Sequence, residues 1–194
     1  MLTPRSLRFP LALCCALALA AAQARAAVVV LLDDSLSMAE RRKDRDAPTC
    51  FDAAKRLVKG AAGRAARGER FLLLLATRPG KPIFDQPLDD ESRRQLEKVL
   101  AETKCTVLRA EPRAGVEAAG KLLGGDGPRT LHVVSDFRAR DWTGPEAAPL
   151  VRAVAALLSS GVNVNLVDAA GPLAEKAAPP ENLAILELAP ETRV

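Results

Sequence analysis

The stretch VVVLLDDSLSM, Val28 to Met38, decides how the chain is read. Val28 to Leu32 is an unbroken apolar run without polar alternation, the pattern of a strand buried on both faces. It ends abruptly in two carboxylates and two hydroxyls. In open α/β sheets, polar groups just past a buried strand sit at the carboxyl-terminal edge, where such folds hold their ligands. Asp33, Ser35 and Ser37 stand at alternate positions, so one loop turns three oxygen side chains toward a common point. Hard divalent cations take oxygen ligands, and Mg²⁺ favours an octahedron that retains waters. A plainer reading stays open: Asp33 and Ser35 cap the following helix and satisfy loop amides.

Working outward, the same kind of strand recurs. FLLLLAT (Phe71–Thr77), TLHVVS (Thr130–Ser135) and VNVNLVD (Val162–Asp168) are apolar runs of strand length, and Ile83-Phe84 marks a short strand at most. Between them the apolar spacing turns helical. One helix opens at Thr49 with Asp52 three residues on, a capping-box signature, and stops near Gly68. Ser92 to Glu102 is a second, with Leu96, Val99 and Leu100 inward; Ala114 to Leu123 is a third. Thr143-Gly144-Pro145-Glu146 opens a fourth by the same capping logic, closed by Ser159-Ser160-Gly161. Strands alternating with helices imply parallel pairing and right-handed crossovers. The fold class expected is a three-layer α/β/α sandwich on a Rossmann-like, mostly parallel sheet.

The 194 residues, 48% hydrophobic and 27% charged, suit one globular domain with short extensions. Aromatic residues are only 3%, so the core is built of Ala, Leu and Val. The formal charge of +4 is misplaced for a nucleic-acid partner, since Arg5, Arg8 and Arg25 lie in the first 26 residues. No basic stripe interleaved with aromatics follows, which argues against nucleic acid. MLTPRSLR, the apolar FPLALCCALALAAA and the small residues of AQARA form the pattern of a secretory signal. Residues 1–26 are therefore read as a cleaved signal or a membrane anchor. The orientation is the same in both cases: the positive residues stay inside, and the domain, expected over 27–170, is exported to the periplasm or the periplasmic membrane face. Cys14 and Cys15 fall in that segment. Cys50 and Cys105 remain where a disulfide is permitted, and free buried thiols are the alternative. Residues 171–194 read as a linker, GPLAEKAAPP, and a strand-like segment, NLAILEL.

VVVLLDDSLSM resembles the first strand and D-x-S-x-S motif of von Willebrand factor A (VWA) domains, and LHVVSDF resembles the segment that carries their distal carboxylate. The likeness spans roughly Val28 to Asp168. The doubled Asp of LLDDSLSM, the SDFRARDW segment and the NLAILEL tail look narrower still, like bacterial Bat-type (aerotolerance-associated) proteins. The resemblance implies Mg²⁺ or Mn²⁺ held through Asp33, Ser35, Ser37 and Asp136, the serines directly and the two Asp largely through water. It implies too a non-enzymatic module that grips an acidic group on a cell-envelope protein. Two departures stand out. The family's fourth ligand, a Thr, has no clear counterpart: Thr106 sits early, and Gly115 or a neighbour falls in its place. Phe137 follows Asp136 where Gly is usual.

Other side chains complete the expectation. Asp34 is a solvated neighbour or a loop-holding group, not a ligand. Lone His132 lies mid-strand and reads as a core residue, and Trp142 packs over the loop after Asp136. Arg41, Arg42, Lys43, Arg45, Arg138 and Arg140 form a basic rim suited to a carboxylate partner, or an ordinary solvated loop. Two further readings compete. A phosphotransferase of the haloacid dehalogenase type needs Asp-x-Asp, and Ser35 stands where its proton donor belongs. A structural module with a degenerate, metal-free site is the other.

Overall fold

The structure, a computed structural model, describes residues 26–40, 48–125, 127–138 and 142–171. The signal or anchor, the tail beyond Gly171, and Arg41, Arg42, Lys43, Arg45 and Arg140 lie outside the described residues. Strand β1 (Ala27–Leu32) is the middle of a five-stranded sheet, and all six of its residues are buried. The other strands are β2 (Arg70–Leu75), β3 (Phe84–Pro87), β4 (Arg129–Ser135) and β5 (Val162–Asp168). Their order is β3-β2-β1-β4-β5, every pair parallel except β2 with β3. That exception follows from chain length: the connection from Leu75 to Phe84 is too short to carry a helix back across the sheet, so β3 returns antiparallel.

Helices α1 (Cys50–Arg64) and α2 (Asp90–Glu102) cover one face, α3 (Pro112–Leu122) and α4 (Ala147–Ser159) the other. Successive residues of a strand point to opposite faces, and β1 and β2 serve both layers. Val28, Val30, Leu32, Phe71, Leu73 and Leu75 pack with Phe51, Val58, Leu96 and Leu100. Val29, Leu31, Leu72 and Leu74 pack with Val116, Ala119 and Leu150. Each such side chain contributes about 1.5–3 kcal/mol on full burial, which is why an Ala/Leu/Val core suffices. The expected α/β/α sandwich is therefore the fold observed. Among the described residues, no helix is long and apolar enough to cross a membrane.

The helix starts are local chemistry. Thr49 Oγ1 accepts from the Asp52 amide at 3.0 Å and the Asp52 carboxylate accepts from the Thr49 amide at 3.1 Å. Asp89 and Ser92 form the same reciprocal box at the start of α2, two residues ahead of the expected opening. Helix α1 ends at Arg64, short of Gly68, and Arg93 reaches from α2 to donate to the carbonyls of Ala62 and Ala65. Gly68, at φ +82, serves instead in the turn that leads into β2. The Thr143 signature also works differently: Gly144–Glu146 is a 3-10 turn without a side-chain cap bond, and α4 begins only at Ala147.

Candidate functional site

The central strand and its neighbour β4 deliver the site. The register Leu32 to Val134 sets Asp33 opposite Ser135, and the Asp33 amide donates to the Val134 carbonyl at 2.9 Å. Asp33, at 3% exposure, is locked from both sides. Its Oδ1 accepts from the Ser35 amide at 2.9 Å, and its Oδ2 accepts from the Ser135 hydroxyl at 2.6 Å. A 3-10 turn over Leu36–Ala39 follows, and it folds Ser37 back so that the Ser35 and Ser37 hydroxyls meet at 3.1 Å. Both serines are buried.

Asp136 stands just past the end of β4, next to Ser135. Its negative charge is felt at Asp33, where it adds to burial in raising the carboxyl pKa above the ordinary value; burial is the larger cause, and the bonds from Ser135 and Ser35 oppose it. The Asp136 carboxylate is largely covered and accepts from Arg138 Nε at 3.0 Å. Arg138 also pairs with Glu40 at the end of the 3-10 turn. That bond holds Glu40 below the usual carboxylate range and Arg138 above its ordinary value. The guanidinium is thus turned in toward the two loops. Among the described residues, no three His, Cys, Asp or Glu side chains group so as to hold a metal ion. Any cation here would have to use the hydroxyls.

The two serine hydroxyls fit such an ion in chemistry and spacing. Adjacent oxygens of a Mg²⁺ octahedron with bonds of about 2.1 Å lie about 3 Å apart, close to the separation of the two serine hydroxyls. The spacing is also that of a plain hydroxyl–hydroxyl hydrogen bond, which the same pair makes here.

Asp34 is fully buried. Its carboxylate accepts from the Thr77 amide at 3.0 Å and the Thr77 hydroxyl at 2.8 Å, tying the loop after β1 to the loop after β2. Of its two sequence readings, the loop-holding one is what the structure has. Thr106 does not join the serines: its amide donates to the Asp34 carbonyl at 2.7 Å and its hydroxyl accepts from the Leu108 amide. Gly115 is not at the site either. It lies inside α3, where an added Cβ would stand 2.6 Å from Leu31 Cδ2.

No disulfide joins Cys50 and Cys105, and burial with the nearby Asp34 and Asp33 charges pushes Cys105 up to about 11. His132 is half-buried, with its pKa lowered by burial and by Arg64. Trp142 packs its ring on Phe137 at 4.6 Å between centroids, over the loop after Asp136 as expected. Phe137 itself adopts φ +47, the left-handed conformation that Gly would take without strain.

Three residues of the site were not singled out in the sequence. Ser135 is the hydroxyl immediately before Asp136, and its position at a strand end was the available signal. Thr77 and Glu40 carry no local signal, because their roles depend on which loops become neighbours.

No protein-family model and no curated protein matches the sequence. Solved structures do. An aerotolerance-related membrane protein from Bacteroides fragilis aligns with TM-score 0.52 and 19% identity, covering 73% of this chain and 66% of that one. BatB from Bacteroides thetaiotaomicron gives TM-score 0.54 and 17% identity over 73% of this chain and 65% of that one. The chain spans just under two thirds of the length of both. Proximal thread matrix protein 1 from the mussel byssus, in a structure with a zinc-occupied MIDAS motif, aligns with TM-score 0.51 and 19% identity over 73% of this chain and 37% of that one. With the strand order and the three layers above, these likenesses give the described domain a VWA-like fold, close to that of the Bat-type proteins.

Proposed function

We propose that the chain is an exported, non-enzymatic interaction module that uses a divalent cation to bind an acidic side chain of a cell-envelope protein. Asp33, Ser35, Ser37 and Asp136 would hold the ion, Mg²⁺ or Mn²⁺. The observation that carries this reading is the meeting of the Ser35 and Ser37 hydroxyls beside Asp33, which is itself bonded to the end of β4. When bound, the cation supplies a Lewis-acidic position for a carboxylate oxygen. The protein's own part is orientation and charge: Ser135 and the Ser35 amide fix the Asp33 carboxylate, and burial takes that carboxylate out of water. The zinc-occupied motif of the mussel protein supports a divalent ion on this fold. The Bacteroides membrane protein supports an envelope setting.

A metal-free structural module is the second reading, and the Arg138–Asp136 ion pair favours it, because it already gives Asp136 a counter-charge. Calorimetric titration separates the two. Under the proposal, Mg²⁺ and Mn²⁺ give saturable heat with the wild type, which Ser35→Ala abolishes. A wild type that gives no heat above buffer is the metal-free module. Phosphatase turnover with Mg²⁺ that Asp33→Asn removes would overturn the non-enzymatic reading.

A further inference from the structure

Three of the large aliphatic side chains that stand exposed among the described residues share the two loops around this site. Leu36, between the two serines, is 59% exposed; Val107 is 84% and Leu108 50% exposed. Nothing in the fold needs them there, since the core faces of these loops are supplied by Met38 and Ala110. The loops are fastened side by side. The Thr106 amide donates to the Asp34 carbonyl at 2.7 Å, so Val107 follows directly on a residue bonded to the motif. The Leu108 amide closes a small turn on the Thr106 hydroxyl at 3.2 Å, which presents Val107 at its tip. Leu36 is two residues from Asp34, about 7 Å along the chain at most. Arg78 adds charge to the same edge: it is 62% exposed and its guanidinium lies 3.9 Å from the fully buried Asp34 carboxylate.

Exposed apolar side chains collected beside polar groups mark interaction surfaces. We infer that Leu36, Val107 and Leu108 form an apolar rim at the proposed metal site, and that the partner is an extended segment whose Glu or Asp is flanked by aliphatic side chains. The carboxylate answers the cation and Arg78, and the flanking side chains cover the rim. This inference rests on the metal reading above.

Blocked pentapeptides test it on the full chain: Ala-Leu-Glu-Leu-Ala, Ala-Ser-Glu-Ser-Ala and Ala-Leu-Gln-Leu-Ala, followed by amide chemical shifts in excess Mg²⁺. The Leu-flanked acidic peptide should bind about 10-fold more tightly than the Ser-flanked one, the gain expected from covering one to two aliphatic side chains. The Gln peptide should bind more weakly than its Glu counterpart. Leu36→Ser with Val107→Ser should erase the preference while leaving the Mg²⁺ heat unchanged, because both side chains are exposed and neither is a ligand. Equal affinity for the Leu- and Ser-flanked peptides, with the Mg²⁺ heat present, overturns the rim and leaves the metal reading standing. Absent Mg²⁺ heat overturns the metal reading itself. Self-association of the free chain that the double variant abolishes would replace the acidic segment with a second copy, and would overturn the inference as stated.

Discussion

At the scale of single residues, neighbouring carboxylates in one loop have opposite tasks. Asp34 has no exposed surface and spends its oxygens on Thr77, so it is a tie between loops. Removing it strands a buried amide and hydroxyl. Asp34→Ala should therefore cost about 1.5–3 kcal/mol, the range for hydrogen bonds to a charged group, read as a lowered urea midpoint with unchanged slope. Asp34→Asn keeps one acceptor and should lose less. The exposed Arg78 adds little to this balance at its distance, so Arg78→Ala should leave the midpoint nearly unmoved. Arg138 is the reverse case. It lies against Asp136 and Glu40, and a cation entering the site must compete with its charge. Arg138→Ala should tighten Mg²⁺ binding several-fold in calorimetry. Weaker binding would show that Arg138 orients Asp136 for the ion instead of competing with it, and unchanged binding that it does neither.

At the scale of elements, the two glycines of α3 explain how this helix fits between the sheet and α4. A Cβ on Gly115 would stand 2.6 Å from Leu31 Cδ2, and one on Gly120 would stand 2.8 Å from Leu157 Cδ2. Leu31 is fully enclosed in the middle strand, so it has little freedom to give way. In an isolated helix, Gly→Ala gains up to about 1 kcal/mol. At Gly115 the overlap should reverse that sign and cost about 1–3 kcal/mol. Gly63, near the end of α1, is the control: it is exposed and nothing lies within 4 Å of its added Cβ. Gly63→Ala should raise Tm while Gly115→Ala lowers it, in matched thermal melts. The same elements show what sequence could supply. Thr49 with Asp52 announces α1 because a capping box is a contact between near neighbours. The carbonyls around the early end of α1 are met by Arg93, 31 residues from Ala62 and 28 from Ala65, a contact no local pattern announces. Thr143 misled for a related reason: Gly144, at φ +82, turns the chain into a 3-10 segment before the helix begins.

At the scale of the whole molecule, the apolar runs and their alternation with helices made the sandwich legible, and they placed Asp33 and Asp136 on strand ends. The pairing that brings those ends together was not legible, since it depends on β4 lying beside β1 across a hundred residues. That pairing also holds His132 half-buried in the middle of β4. Strand alternation sets it on the same side as Val134, toward α1 and Arg64, and between Val30 and Asn165 in the sheet. Burial first, and the Arg64 charge second, lower its pKa below the ordinary 6.5. Because the folded-state pKa is depressed, the unfolded chain takes up the proton first as pH falls. His132 therefore leaves stability untouched above 6.5 and lowers it as pH drops from 6.5 toward the folded-state value. Asp33, whose pKa is raised, acts with the opposite sign, because its folded form takes up a proton more readily as the solution is acidified. The two are separated by subtraction. Urea unfolding at about pH 7.5 and about pH 5.5, on the wild type and on His132→Gln, brackets the ordinary histidine pKa. The wild type should lose more stability across that interval than the variant. Equal losses would mean that the His132 ring accepts its proton in the folded sheet as readily as in the unfolded chain.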